Sequence, residues 1–512
     1  MFPSGTKGQV MRHVSNFASG SNARATAALK EVLADRVEAR KPAVLQPGRN
    51  CWRVAQATRA AVLVDADAYF ARLDQALRAA RRSILVLGWD LDAAIRLRPD
   101  AGDDERLGPL LRSLVEARPD LEIRILVWNL STLHAPSATL PMLFGEEWQK
   151  HPRIQLRLDA DHPAYAAQHE KIIAIDDAVA FVGGIDLTVD RWDTPEHLAV
   201  DSRRRTPAGK AYGPIHDIQL LVEGEAARAV SDCARDRWRQ VTGEHVRPSP
   251  CGGDLWPADL RPDLMDVRVG VARTRPRWKG REAVEESAQL RYDAVAAARR
   301  SVYIEAQYLT DFRLGDIIAE RLQEPDGPEF VMLVTRTMHG VVEGLIMNGN
   351  RRRLVRRLKR ADRYDRLRVY HPVVPGEDGE CEVLIHAKIL IVDDVFLRIG
   401  SSNLNNRSTG LDLECDLGIE ANNPAARRSI AAIRERLLAE HLGVAPEAMA
   451  EACAAEQSMI RAIGRMNKGC RGLSDFDYQP KGPITPMPGT RLLDPRRPSP
   501  LRSLLWPRRR RR

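Results

Sequence analysis

The chain has 512 residues, 44% of them apolar, and a net charge of +9, which allows two or three domains with ample core. No apolar run reaches the length of a membrane span, and Met1 to Ala27, rich in Ser, Gly and Asn, lacks the apolar core of a secretory signal. Seven scattered cysteines form no CxxC pair and no metal-ligand spacing, so a reducing compartment is expected: cytoplasmic or peripheral at the inner membrane face, with secretion left open.

In chain order, Ala28 to Glu38 can form a short helix that Lys41-Pro42 and Pro47-Gly48 break. Tyr69, Phe70, Leu73 and Leu77 have helical spacing over 67–80. Residues 82–88 read as a buried strand ending at Trp89-Asp90. A helix over 107–117 and strands over 123–127 and 154–158 follow, and alternating strand and helix predict a sheet flanked by helices. Next comes His169-Glu-Lys171-Ile-Ile-Ala-Ile-Asp176, continuing to Gly183-Gly184-Ile185-Asp186. Side chains alternate along a strand, so His169 and Lys171 share a face. Residues 226–240 close this half as a helix.

The same order returns. Arg299-Arg300-Ser301 opens a strand as Arg81-Arg82-Ser83 does, and 330–334 answers 123–127. His386-Ala-Lys388-Ile-Leu-Ile-Val-Asp393, leading to Gly400-Ser401-Ser402-Asn403, repeats the first motif. His386 stands 217 residues after His169, and Arg299 stands 218 after Arg81, which indicates duplicated halves. The expected boundaries are an N-terminal extension over 1–50, a first lobe over 51–247, a linker over 248–280 with packing of parts of it across the lobes left open, a second lobe over 281–445 and a C-terminal extension over 446–512.

The two motifs resemble the paired HxKxxxxD motifs of the phospholipase D superfamily, including its bacterial members. Arg191-Trp192-Asp193, His216-Asp217-Ile218, Ile304-Glu305-Ala306-Gln307-Tyr308 and Asn403 to Ser408 extend the likeness over about Val62 to Leu442. The resemblance implies an α/β fold of two pseudo-symmetric lobes, each a mixed, largely parallel sheet flanked by helices, with one active site at the lobe interface and no cofactor or metal. It also implies that His169 is the nucleophile, forming a phosphohistidine, and that His386 is the general acid and then base. Lys171, Lys388, Asn403 and Ser401 would bind the phosphate. The motif acids Asp176 and Asp393 belong to the family's catalytic set, yet each lies past its strand's end at opposite parity from its Lys, which favours a turn-stabilising role. The imidazoles would be oriented from the opposite lobe, His169 by Glu414 and His386 by Asp217. Asp186 stands where the second copy has Asn403; with Trp89, Gln307 and Tyr308 it is expected in the substrate pocket. Ala306 stands where relatives commonly carry Asn.

The reading that follows is hydrolysis of glycerophospholipids to phosphatidic acid and a free headgroup, with a monomer sufficient for one active site and no obligate protein partner implied. Alternatives are phosphatidyl transfer to an alcohol, as in cardiolipin synthases, a nuclease, and a non-enzymatic membrane scaffold. From Lys481 onward ten basic residues face one acid, Asp494, so residues 1–480 sum to zero charge. A neutral body argues against a nucleic-acid partner. The Pro-rich tail is expected to be disordered, and Leu504-Leu505-Trp506 with Arg508 to Arg512 to touch an anionic membrane, at about 1 kcal/mol per charge. Arg351 to Arg353 and Arg356-Arg357 read as a solvated helix face. His162, His197 and His371 read as structural or pocket-rim groups, since no segment gives a compact ligand set for a metal.

Overall fold

A computed structural model describes residues 43–99, 105–129, 145–250, 253–337, 342–377 and 379–498. The helix expected over 28–38 and the basic end over 499–512 lie outside them. The first half contains β1 (Arg53–Val64), α1 (Asp65–Ala79), β2 (Ser83–Gly88), α2 (Leu107–Ala117), β3 (Glu122–Trp128), β4 (Ile154–Asp159), β5 (Ile172–Ile175), β6 (Val179–Gly183), β7 (Ile215–His216), β8 (Ile218–Gly224) and α3 (Glu225–Thr242). After β9 (Leu264–Arg275) and β10 (Val284–Glu285), the second half has α4 (Glu286–Ala297), β11 (Ser301–Ala306), α5 (Phe312–Leu322), β12 (Glu329–Val334), α6 (Val342–Ala361), β13 (Leu367–Gly376), β14 (Gly379–Glu382), β15 (Leu384–Ile385), β16 (Lys388–Val392), β17 (Phe396–Gly400), α7 (Asn406–Gly410), β18 (Glu414–Glu420) and α8 (Pro424–Leu442). The chain continues through α9 (Pro446–Glu456), α10 (Met459–Met466), β19 (Gly472–Asp475) and α11 (Thr490–Leu493).

The pairing is mixed. β4, β3 and β2 run parallel; β5, β6, β8 and β1 continue antiparallel. In the second half β13, β12 and β11 are parallel, and β16, β17 and β18 antiparallel. Alternation along each strand sorts the core into layers. Ile84 and Val86 face α1 and α2, whereas Leu85 and Leu87 face the shared core between the halves. Val302 and Ile304 face α4 and α5, while Tyr303 joins that shared core.

Four expectations are corrected or refined. The segment read as a linker contains β9, which pairs with β1 on one side and β18 on the other and so joins the halves through continuous hydrogen bonding. Its residues alternate, but the flanking Pro, Gly and Trp obscure the pattern. The C-terminal region is held as far as the description reaches: β19 pairs with β13, and the buried Asp494 accepts hydrogen bonds from the backbone N–H groups of Asn406 and Arg407. Arg351 and Arg356 are buried, not solvated. Arg351 stacks 4.7 Å above Phe476, and Arg356 donates to the carbonyls of Tyr478, Gln479 and Pro483. These carbonyls anchor the segment that composition alone marks as disordered. Leu45, assigned to the N-terminal extension, is 3% exposed and packs in the core of the second half. Among the described residues no helix is long and apolar enough to cross a membrane.

Candidate active site

Each motif histidine sits just before a buried strand, on a short parallel bridge to the other half. The His386 N–H donates to the carbonyl of His216 at 2.8 Å, and β15 pairs with β7. Likewise the His169 N–H donates to the carbonyl of Leu413 at 3.0 Å, beside the bridge between Gln168 and Leu413. This register sets each histidine against the residue that follows its partner. His169 Nδ1 therefore lies 3.0 Å from Glu414 Oε2, and His386 Nδ1 lies 2.6 Å from Asp217 Oδ2. Both carboxylates are buried. Gly184 is what lets Asp217 approach: a Cβ there would meet Asp217 Oδ1 at 2.0 Å. In the second half Ser401 stands in Gly184's place and its hydroxyl contacts Glu414, while Gly400 matches Gly183 and a Cβ there would meet Asp416 Oδ1 at 2.1 Å.

Both histidines line one cleft of about 1220 Å³, together with Trp89, Asp186, Gln307, Tyr308 and Asn403. The rings of Trp89 and Trp128 stack on its wall with centroids 5.8 Å apart. Lys171 and Lys388, each 2% exposed, are buried against residues that line the cleft, Lys171 against Asp186 and Lys388 against His386. Lys171 Nζ contacts Asp186 Oδ2 at 3.0 Å, and Asp186 Oδ1 also accepts the Trp89 N–H. Asp186 therefore neutralises one lysine, and no equivalent acid stands in the second copy, where Asn403 occupies the position. Asn403 Oδ1 is buried without a hydrogen-bond partner among the described residues.

The electrostatics differ between the two ends. Burial pushes the His169 imidazole well below its ordinary value, and the charges of Lys171 and Lys388 push it further. Burial and Lys388 lower His386 to about 3, against the pull of Asp217. Burial alone would raise Asp217, but the charges of His386 and Lys388 outweigh it and hold the carboxyl at about 2. Burial raises Glu414 well above the usual carboxylate range, opposed by hydrogen bonds from Ser401 and Ser408. For Nε2 to keep its lone pair, the neutral His169 ring must carry its proton on Nδ1 and donate it to Glu414 as the carboxylate. Burial lowers Lys388 to about 8.

Two assignments are corrected. Asp176 and Asp393, placed in the catalytic set, stand away from the cleft. Asp176 accepts the backbone N–H groups of Arg81, Arg82 and Ser83 at 2.7–2.8 Å. Asp393 accepts those of Arg299, Arg300 and Ser301 at 2.6–2.9 Å. Both acids clamp the entry of a core strand, as their parity indicates. Ser401, expected on the phosphate, is fully buried and donates its hydroxyl to Glu414 Oε2. Of the other histidines, His162 bonds the carbonyls of Asp159 and Pro163, and His197 contacts Asp193 and Glu440. Sequence reasoning gave no role to Arg191, which lines the cleft and whose charge acts on Asp186, His386 and Lys388. Its only signal was its place in the Arg191-Trp192-Asp193 segment.

Two halves of one α/β design, each contributing an imidazole to a common cleft and a lysine buried next to it, define the class. The family model described as phospholipase D matches residues 76–249, and that described as cardiolipin synthase, PLD-like domain, matches 293–437. The chain belongs to the phospholipase D superfamily. It is 25% identical over 469 residues to phospholipase D A of Dictyostelium discoideum, covering 75% of this chain and 35% of that protein. It is 24% identical over 520 residues to phospholipase D alpha 1 of Carica papaya, covering 73% and 64%. The chain thus spans about a third of the length of the curated relatives it matches first. A phosphatidylserine synthase from Haemophilus influenzae shares the fold, with a TM-score of 0.52 and 14% identity over 86% of this chain and 93% of its own.

Proposed function

We propose that the protein is a phospholipase D-type phosphodiesterase that hydrolyses glycerophospholipids to phosphatidic acid and a free headgroup. The observation that carries this reading is the pair of neutral imidazoles in one cleft, each held at Nδ1 by a buried carboxylate from the other half. His169 Nε2 attacks phosphorus, and the bond from phosphorus to the headgroup oxygen breaks. The leaving oxygen takes a proton from His386 Nε2, giving a phosphohistidine and the free headgroup. The substrate's negative charge, arriving beside His386, offsets the lysine charges that keep this imidazole neutral in the free protein. Water then gives a proton to His386 and attacks phosphorus, and the phosphorus–nitrogen bond breaks. Lys171, Lys388 and the Asn403 amide stabilise the non-bridging oxygens as charge builds on them.

The second reading is transfer of the phosphatidyl group to an alcohol in place of water. It is favoured by a cleft larger than most small-molecule pockets and by the second half's likeness to a cardiolipin synthase domain. The basic residues of the C-terminus, supported by composition, would hold the protein on an anionic membrane. Incubation with a mixed phospholipid panel and with single-stranded DNA, each with and without ethanol, tests these readings. Phosphatidic acid alone fits hydrolysis, and a predominance of phosphatidylethanol favours transfer. DNA cleavage without any lipid product overturns both. Loss of anionic-vesicle binding on removal of 499–512 is the outcome expected for the tail.

A further inference from the structure

A second polar cluster lies behind the wall of the cleft. Asp65 follows β1, His197 sits in the loop before β7, His216 ends β7, and Glu440 projects from α8 of the second half. The first three side chains are fully buried and that of Glu440 is 8% exposed. His197 Nε2 lies 3.2 Å from Glu440 Oε1 and 3.5 Å from Asp65 Oδ2. His216 Nδ1 lies 2.9 Å from Glu440 Oε1 and 3.1 Å from Asp65 Oδ1. Two nitrogens and two carboxylates thus face one point. The four separations, taken with both oxygens of Asp65, are 2.9–3.5 Å, close to the edge, about 3.3 Å, of a tetrahedron with metal–ligand bonds near 2.0–2.1 Å.

Three independent observations point to an ion at that centre. First, His216 Nδ1 lies near two carboxylate oxygens yet is hydrogen-bonded to neither, and Asp65 Oδ2 has no hydrogen-bond partner among the described residues. Buried polar atoms without partners are costly. Second, the far nitrogen of each imidazole is held by a separate buried carboxylate. His197 Nδ1 lies 2.9 Å from Asp193 Oδ2, and His216 Nε2 lies 2.8 Å from Glu305 Oε2. This is the outer shell that fixes the ring and tautomer of a metal-bound histidine. Third, Asp65 and His197 adopt φ of +63° and +47°, a left-handed backbone that a non-glycine residue keeps only where its surroundings impose it.

We propose that Asp65, His197, His216 and Glu440 form a four-coordinate site for a divalent metal of the zinc class, buried between the two halves. Mixed imidazole and carboxylate donors suit zinc, and four protein ligands leave no position for substrate, so the role is structural. Glu440 is the one ligand from the second half, and the ion would pin the halves together. It would also fix the backbone behind the catalytic cleft, since His216 precedes Asp217 and the Asp65 N–H donates to the Asp217 carbonyl at 2.8 Å.

The test uses the full chain, purified without a metal-affinity tag, incubated with zinc chloride and desalted. Mass spectrometry of the protein should find one equivalent of zinc, and chelation should lower Tm by several degrees. The double variant His197→Gln/Glu440→Gln should bind zinc at least about tenfold more weakly. His169→Asn, altered in the cleft, should retain it fully. If the double variant does not fold, cobalt substitution of the unaltered protein decides, because a four-coordinate site gives intense visible absorption and a six-coordinate surface site does not. No retained zinc, equal retention by the double variant, or a six-coordinate cobalt spectrum overturns the site. None of these readouts depends on lipid turnover.

Discussion

Asp217 Oδ2 lies 2.6 Å from His386 Nδ1, although the two residues are 169 positions apart and belong to different halves of the chain. The same relationship, with the halves exchanged, joins Glu414 to His169. Neither imidazole is oriented by its own motif, so each half is catalytically incomplete alone.

The division of labour between the histidines can be separated by the leaving group. Asp217→Asn and His386→Asn should lower phospholipid turnover by roughly 10²–10⁴-fold, because the departing alcohol loses its proton donor. With a p-nitrophenyl phosphodiester, whose leaving group needs no proton, both variants should still give a rapid burst of nitrophenol. His169→Asn should give no burst. A burst from His169→Asn, measured by stopped flow, would assign the nucleophile elsewhere.

Ser401 distinguishes positioning from phosphate binding. Its hydroxyl contacts Glu414, so Ser401→Ala should lower kcat by roughly tenfold or more and leave KM unchanged. A phosphate contact would show as a raised KM instead. Asn403→Ala is the comparison, and its effect should fall on kcat/KM.

The alkaline limb of activity belongs to Lys388. With its ammonium lowered to about 8 by burial, the free protein loses this cation as pH rises through about 8, and kcat/KM should fall there. Stability should move the other way. The unfolded chain binds this proton more tightly than the folded one, so Lys388 contributes a gain in folding stability as pH rises from about 8 toward its ordinary value of 10.5. A falling kcat/KM with no loss of Tm over that window is the expected pair. Lys388→Arg should move the limb to higher pH.

Asp176 and Asp393 should behave as structural acids. Removing one takes away a buried carboxylate that pairs three backbone N–H groups at the start of a core strand. Asp176→Ala should cost roughly 2–4 kcal/mol in urea unfolding, with the folded fraction retaining its kcat. A loss of kcat at full stability would return the residue to the chemistry.

Asp494 tethers the C-terminal segment through Asn406, Arg407 and Thr310. Asp494→Ala should expose the chain between 480 and 498 to limited trypsin cleavage, at Arg491 and Arg496 first. Unchanged digestion would show that Arg356, together with Asn350, which donates to the Thr490 hydroxyl and accepts the Met487 N–H, suffices to hold it.

The sequence by itself determined the duplication, the two His-x-Lys faces and the strands that carry them, because alternation and spacing are local and survive in one dimension. It marked Asp176 and Asp393 as structural through parity, for the same reason. It did not determine that β9 joins both sheets, that the segment beyond Lys481 is anchored, or that Ser401 serves Glu414, because each depends on a partner far away in the chain. The cluster of Asp65, His197, His216 and Glu440 is the extreme case. Its four side chains come from four elements, and no spacing in the sequence relates them. The folding of the first half brings His197 and His216 within 3.5 Å of Asp65, and only its packing against the second half adds Glu440.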